Sequence, residues 1–287
     1  MVPLSELITM RIIITFVLVF NSCIGFAWNA IGHQLVAQIA YDNLSPAAKK
    51  MCNKYTSAYN NLSGSASSFI QAATWLDAIR ANDVHWFDSL HYMDKPFSLD
   101  ETPLPPVQEV NALWGIKQAI KVLSSDKSSL ADKGLSLRIL THLIGDVHQP
   151  LHTVTKVSKH FPKGDLGGNL FPLAHNSIGD NLHKYWDNGA GSLTGQGKSF
   201  QIKNKARQLE HNWACSNEVK KINPRKWINQ SHQLALSKVY KTAQNRVPGK
   251  RYQLEAQNIS QKQIALAGCR LATVLNSIAA QQINDLL

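Results

Sequence analysis

The chain has 287 residues, with 30 Lys and Arg against 19 Asp and Glu, giving a formal net charge of +11. Hydrophobic residues make up 44% and charged ones 17%, which excludes a disordered polyelectrolyte and leaves enough apolar side chain for one large core. A basic balance draws polyanions through steering and counterion release, but it also serves solubility alone, so charge by itself selects no function.

The first 27 residues read as a secretory signal rather than as part of a fold. Ile12 to Phe20 is a nine-residue apolar run, shorter than the roughly 20 residues a membrane-spanning helix needs. Gly25 and Ala27 then place the cut before Trp28. Glu6 and Arg11 cancel in charge, so a start at Met10 gives the more ordinary signal. Residues 28–287 remain as one expected domain. No later segment reads as membrane-spanning, and the processed chain is expected to be soluble, secreted or periplasmic, and monomeric. Of the four cysteines, Cys23 leaves with the signal. Cys52, Cys215 and Cys269 lack metal-type spacing, and a Cys215–Cys269 disulfide is expected because both fall in the helical second half.

From Trp28 onward the pattern is helical, and the expected class is all-α with at most a short β-hairpin, around residues 86–104. Ile31 to Asn43 carries Leu35, Val36, Ile39 and Ala40 at helical spacing. Ser45-Pro46 starts a second helix by cap and proline. Phe69 to Arg80, Val107 to Leu123 and Leu130 to His148 follow. Asn223-Pro224 repeats the cap-and-proline signal before Trp227 to Val239, and a long helix runs from about Leu254 to Ala279. Pro96 to Pro106 is too proline-rich for regular helix. Thr153 to Leu182 is a loop rich in Gly and Asn.

Two His-x-x-x-Asp pairs carry the chemistry, His142 with Asp146 and His183 with Asp187. On a helix each pair lies on one face, one turn apart, where both can hold one metal. A surface contact explains a single pair as readily; two within 46 residues are harder to dismiss. Between them Pro150 breaks the helix and turns His152 out of register with His142. His91 and Asp77 are weak signals taken alone. At the new N-terminus, the Trp28 amine and carbonyl form a chelating pair that His33 can complete, though Trp28 reads equally as an apolar first residue. His148 reads as surface or as a neighbour of the ligands. His85, His160, His175, His211 and His232 show no carboxylate at useful spacing, and the basic stretch from Lys198 to Lys226 reads as a solvated face.

The ordered blocks Trp28-x-x-x-x-His33, Trp75-x-Asp77-x-x-Arg80, His91-Tyr92-x-Asp94, Thr141-His142-x-x-Gly145-Asp146-x-x-Gln149-Pro150-Leu151-His152, Gly167-Gly168-Asn169 and Asn181-Leu182-His183-x-x-Trp186-Asp187 resemble the secreted zinc-dependent single-strand nucleases. These are the fungal and plant type I nucleases and their bacterial relatives, within the zinc phospholipase C/nuclease superfamily. The resemblance implies a mostly helical domain of that type holding three zinc ions. Asp77, His91, His142 and Asp146 would hold one. The Trp28 amine and carbonyl, His33 and Asp146 would hold a second, with Asp146 bridging. His152, His183 and Asp187 would hold the third. It further implies Arg80 on the substrate phosphate, Tyr92 and Asp94 on a base, Asn169 in the cleft, and a catalytic role for Asp77 and Asp146. The implied substrates are single-stranded DNA and RNA and nucleotides, with no stable protein partner. A zinc phospholipase C is the runner-up, disfavoured because that family ends its third site with His-x-x-x-Glu. A non-catalytic zinc module is disfavoured by the open positions that two of the sites would keep.

Overall fold

A computed structural model describes residues 28–63, 67–216, 219 and 221–284. The signal reading of residues 1–27 lies outside these. Ten helices can be followed in order. They are α1 (Ala30–Asp42), α2 (Pro46–Ser63), α3 (Phe69–Ala72), α4 (Trp75–Arg80), α5 (Ala112–Ser124), α6 (Leu130–Asp146), α7 (Leu182–Asp187), α8 (Ser199–Asn212), α9 (Pro224–Ser237) and α10 (Lys250–Asn284).

Local chemistry sets the ends. The Asn29 side chain accepts from Gly32 N and starts α1, which buries Leu35, Val36, Ile39 and Ala40 as its spacing requires. Asn111 accepts from Leu113 N and Trp114 N, so α5 begins five residues later than hydrophobic spacing alone suggests. Phe69 to Arg80 is two helices, not one. A Ser68/Gln71 capping box opens α3, and the Thr74 hydroxyl donates back to Gln71 O at the break. α6 ends at Asp146, and the chain re-forms as a 3-10 turn over Pro150–Thr153, the turn expected of Pro150.

The expected hairpin near residues 86–104 does not form. β1 (Lys95–Ser98) pairs instead in parallel with β2 (Val154–Val157), with Lys95 opposite Val154 and Ser98 opposite Val157. Prolines at 103, 105 and 106 remove the amide donors a returning strand would need. This ribbon has a consequence for the site: it lays the His91 segment beside the His152 segment, with Met93 N donating to His152 O at 2.9 Å.

Two apolar clusters make the core. The larger packs α1, α2, α5, α6 and the C-terminal part of α10; the smaller joins Leu151, Val154, Leu182, Tyr185 and Trp186 to Ala256 on α10. Among the described residues α10 is long and apolar enough to cross a membrane, a length the sequence reading did not credit to it. Most of that stretch is buried against the rest of the protein, which marks a core helix.

Cys215 and Cys269 are disulfide-bonded across 54 residues, as expected. Closing a loop of that length is worth up to about 4 kcal/mol in the chain-entropy account. Reduction is therefore expected to lower the denaturant midpoint without changing the metal content, which equilibrium unfolding with and without reductant measures. Cys52 is free and buried, and burial pushes its thiol up to about 12, so it is inert packing.

Candidate metal centre

The seam between the two cores collects eight of the predicted side chains into three groups. They are His33, His142 and Asp146; Asp77, His91 and His142; and His152, His183 and Asp187. α1, α4, the turn ending at His91, α6, the Pro150–Thr153 turn and α7 each deliver one or two of them. Asp146 is fully buried and stands among three imidazoles. Its oxygens lie 3.3 Å from His33 Nε2, 3.1 Å from His91 Nδ1 and 3.4 Å from His142 Nε2. Asp77 Oδ1 faces His142 Nε2 at 3.5 Å and His91 Nδ1 at 3.8 Å. His183 Nε2 lies 3.6 Å from Asp187 Oδ2, one helical turn on, as the spacing requires.

The outward nitrogens show what the inward ones are for. His152 Nδ1 donates to His91 O at 2.7 Å, and His183 Nδ1 donates to Gly167 O at 2.7 Å. A carbonyl only accepts, so both rings carry a proton on Nδ1 and turn their Nε2 atoms to each other, 3.1 Å apart. Two lone pairs at that distance repel unless a cation lies between them. His142 follows the same rule, with Nδ1 donating to Ala73 O at 2.8 Å and Nε2 turned towards Asp77 and Asp146. The break between α3 and α4 presents that carbonyl. Both oxygens of Asp146, Asp77 Oδ1 and both nitrogens of His33 are buried without a hydrogen-bond partner. These groups could hold metal ions, with His142, His152 and His183 oriented by their outer hydrogen bonds, and the imidazole and carboxylate donor set fits zinc.

Proton affinities agree. Burial and the neighbouring rings hold His33 and His152 well below the ordinary histidine range, so both rings are neutral, the form in which an imidazole can bind a metal. Burial works against the charged form of His142, yet Asp146 and Asp77 raise it to about 9. Burial, with Asp77 and Asp146 nearby, pushes the Asp187 carboxyl well up.

Trp28 is fully buried at the edge of this centre. Its neighbour Asn29 donates N–H to Asp187 O at 3.0 Å and its side-chain amide to Asn188 Oδ1 and Leu193 O, both at 2.9 Å. Asn29 O in turn accepts from His33 N at 3.2 Å. Asn29 thus ties the start of the expected mature chain to α7 and α1, which carry candidate ligands of two groups.

The remaining predicted residues surround the centre. Arg80 lies one turn after Asp77 and pairs through Nε with Asp88 at 3.3 Å. Asp88 also meets His85 Nδ1 at 2.9 Å, so His85 does have a carboxylate partner, contrary to its spacing-based reading. Tyr92 is half-buried, and burial with the nearby Asp94 raises its hydroxyl. Burial and Asp165 push Asp94 well up. Asn169 is half-buried and donates its amide to Leu166 O at 2.8 Å within the glycine loop. His160, His175 and His211 are exposed, whereas His232 is buried with Nδ1 donating to Thr153 O at 3.0 Å.

Further residues support the groups from outside, among them His148, as the neighbour its position allows. Gln149 donates to Asp187 Oδ1 at 2.6 Å, leaving Oδ2 to face His183. His148 is buried: its Nδ1 donates to Ile144 O, and its Nε2 accepts from Arg270 at 2.7 Å. Ser231 donates to Val147 O at 2.6 Å, and Gln263 donates to His148 O at 3.1 Å. The turn joining Asp146 to His152 is therefore clamped by α9 and α10, which fixes the third group relative to the other two. Gln149 lay inside one of the motif blocks; Arg270, 122 residues from His148, gave no local signal.

Gly167 shows how little slack the third group has. Its φ is +61°, and a Cβ there would lie 2.4 Å from Leu151 O and 3.2 Å from His183 Nδ1. Gly167→Ala is expected to cost about 1–3 kcal/mol of backbone strain, plus the clash, and to release the metal of that group. Metal analysis together with thermal unfolding checks both effects.

Residues 28–280, which hold every ligand candidate, match the family described as S1/P1 Nuclease. Nuclease P1 of Penicillium citrinum is 30% identical over 170 residues, covering 56% of this chain and 57% of that protein, so the alignment spans less than two thirds of its length. Nuclease S1 of Aspergillus oryzae is 23% identical over 190 residues, 62% of this chain and 59% of that protein. Endonuclease 4 of Arabidopsis thaliana is 29% identical over 296 residues, 91% of this chain and 93% of its own length. With the match beginning at Trp28 and running through all three ligand groups, the chain belongs to the S1/P1 nuclease family.

Proposed function

We propose that this chain is a secreted, zinc-dependent endonuclease that hydrolyses single-stranded DNA and RNA to 5′-phosphorylated products and removes 3′-phosphates from nucleotides. The observation that carries the reading is that His142, anchored through Nδ1, turns Nε2 to the buried, unpartnered oxygens of Asp77 and Asp146, while His152 and His183, anchored the same way, turn Nε2 to each other beside Asp187. The family match and the names of its relatives, nucleases and endonucleases, give the chemistry its direction. The disulfide supports an oxidising destination outside the cytosol, and the signal reading of residues 1–27 supports the same.

Asp77, His91, His142 and Asp146 would hold one ion. Asp146, His33 and the freed amine and carbonyl of Trp28 would hold a second. His152, His183 and Asp187 would hold a third. His33 and His142 stack in parallel, ring centres 3.9 Å apart, and so present their donors side by side. That suits two neighbouring ions, which in two-metal sites lie about 3.5–4 Å apart. Bound zinc supplies Lewis acidity, lowering the pKa of a water to make it a nucleophile and neutralising charge that builds on phosphate oxygens.

The chain's own side chains do the rest. Arg80 offers a fixed fork of donors to a phosphoryl oxygen, oriented through Nε by Asp88. Tyr92 presents a ring to an unstacked base, and Asp94, raised towards its protonated form, hydrogen-bonds the base edge. Asn169 adds an amide at the cleft wall. A duplex hides its bases from such a ring, so single strands are the favoured substrate. The test is release of acid-soluble nucleotides from denatured and native DNA, run beside release of phosphocholine from lecithin. Faster cleavage of denatured DNA, with no lecithin cleavage, is expected; lecithin cleavage without nucleotide release overturns the reading.

A further inference from the structure

On the side of α9 that faces away from the Pro150–Thr153 turn, a groove of about 650 Å³ runs between α9, α10 and the segment held by the Cys215–Cys269 disulfide. Its walls carry Lys226 and Lys262, both exposed, and Arg270 lies in its floor, where the guanidinium donates to Gln230. The half-buried indole of Trp213 lines one end. Cations beside an aromatic face and side-chain amides form the combination that binds single-stranded nucleic acid without sequence preference. Those amides, from Gln230 and Gln233, offer both donors and acceptors to base edges.

The groove also connects to the site. Asn229 on its rim accepts from Lys95 Nζ at 2.9 Å. Lys95 follows Asp94 directly and begins β1, two residues after Met93, whose N–H is bonded to His152 O. Burial, and then the charge of Arg225 beside Lys226, lower the pKa of Lys95. A line of cations thus leads from the edge of the metal centre over the start of α9 and into the groove.

We infer that this groove is a second binding site for the substrate strand. It would take the sugar–phosphate backbone several nucleotides from the bond being cut, with Trp213 stacking a base. The inference rests on the nuclease reading and extends it: long strands gain affinity that dinucleotides cannot.

The test is Lys226→Glu/Lys262→Glu in the zinc-loaded, processed protein, with Lys226→Arg/Lys262→Arg as the conservative control. Expected results are a rise of about tenfold in KM for a long single strand and a fall of about 1.4 or more in the salt slope of its binding, at about 0.7 for each phosphate no longer neutralised. Dinucleotide hydrolysis stays within about twofold, and the Arg variant restores long-strand KM. Equal effects on both substrates, or none on the long strand, overturn the inference. Anisotropy of a labelled oligonucleotide, read independently of turnover, separates the two readings. A wild type that cuts nothing refutes the nuclease reading, whereas tight binding lost in the Glu variant still supports the groove. Loss of binding to phosphatidylserine vesicles with oligonucleotide binding intact assigns the surface to lipid and overturns the inference.

Discussion

A chain that keeps residues before Trp28 is expected to bind one zinc fewer than the processed form and to cut denatured DNA at least about a hundredfold more slowly. Perturbing groups that merely orient a ligand already costs 10–100-fold, and here a ligand itself would be lost. The reason is covalent. An amide nitrogen at Trp28 has no lone pair to give, whereas a free amine can lose its proton to a metal and bind it together with the Trp28 carbonyl. Asn29 holds that peptide against Asp187 O and His33 N whether or not the cut is made, so the fold should survive in both forms. Matched circular dichroism spectra with unequal zinc content would distinguish this from misfolding. Full zinc and full activity in the extended chain would refute the N-terminal ligand.

The second large effect concerns the two helical pairs, which look alike in sequence and should behave differently. Asp146→Asn is expected to release two zinc ions and lower turnover by at least about a hundredfold. Asp187→Asn is expected to release one. Asp146 faces three imidazoles, from three different elements, and its two oxygens have no other partner. Asp187 belongs to one group only, with His152 and His183, and already accepts from Gln149 through Oδ1. Equal metal loss from the two variants would contradict the bridging role of Asp146.

The site was legible where its chemistry is local. A helix places residues four apart on one face, so His142 with Asp146 and His183 with Asp187 could be paired from spacing, and both pairs face each other as that requires. Pro150 announced the turn that swings His152 round. The elements bringing distant parts together were not legible. β1 and β2 are four residues each, too short to show alternation, and each pairs with a partner far along the chain rather than with its neighbour. The outer hydrogen bonds were equally silent. Ala73 O, His91 O and Gly167 O orient three candidate ligands through backbone atoms, which any residue supplies. His85, which its spacing leaves without a carboxylate, meets Asp88 three residues on, in a short turn that also brings Asp88 to Arg80.

The central claim is a cage of three ions, and anomalous scattering at the zinc edge from crystals of the chain beginning at Trp28 tests it most directly. Two peaks about 3.5–4 Å apart on either side of Asp146 are expected, with a third between His152, His183 and Asp187. A single peak, or peaks away from these residues, would contradict it.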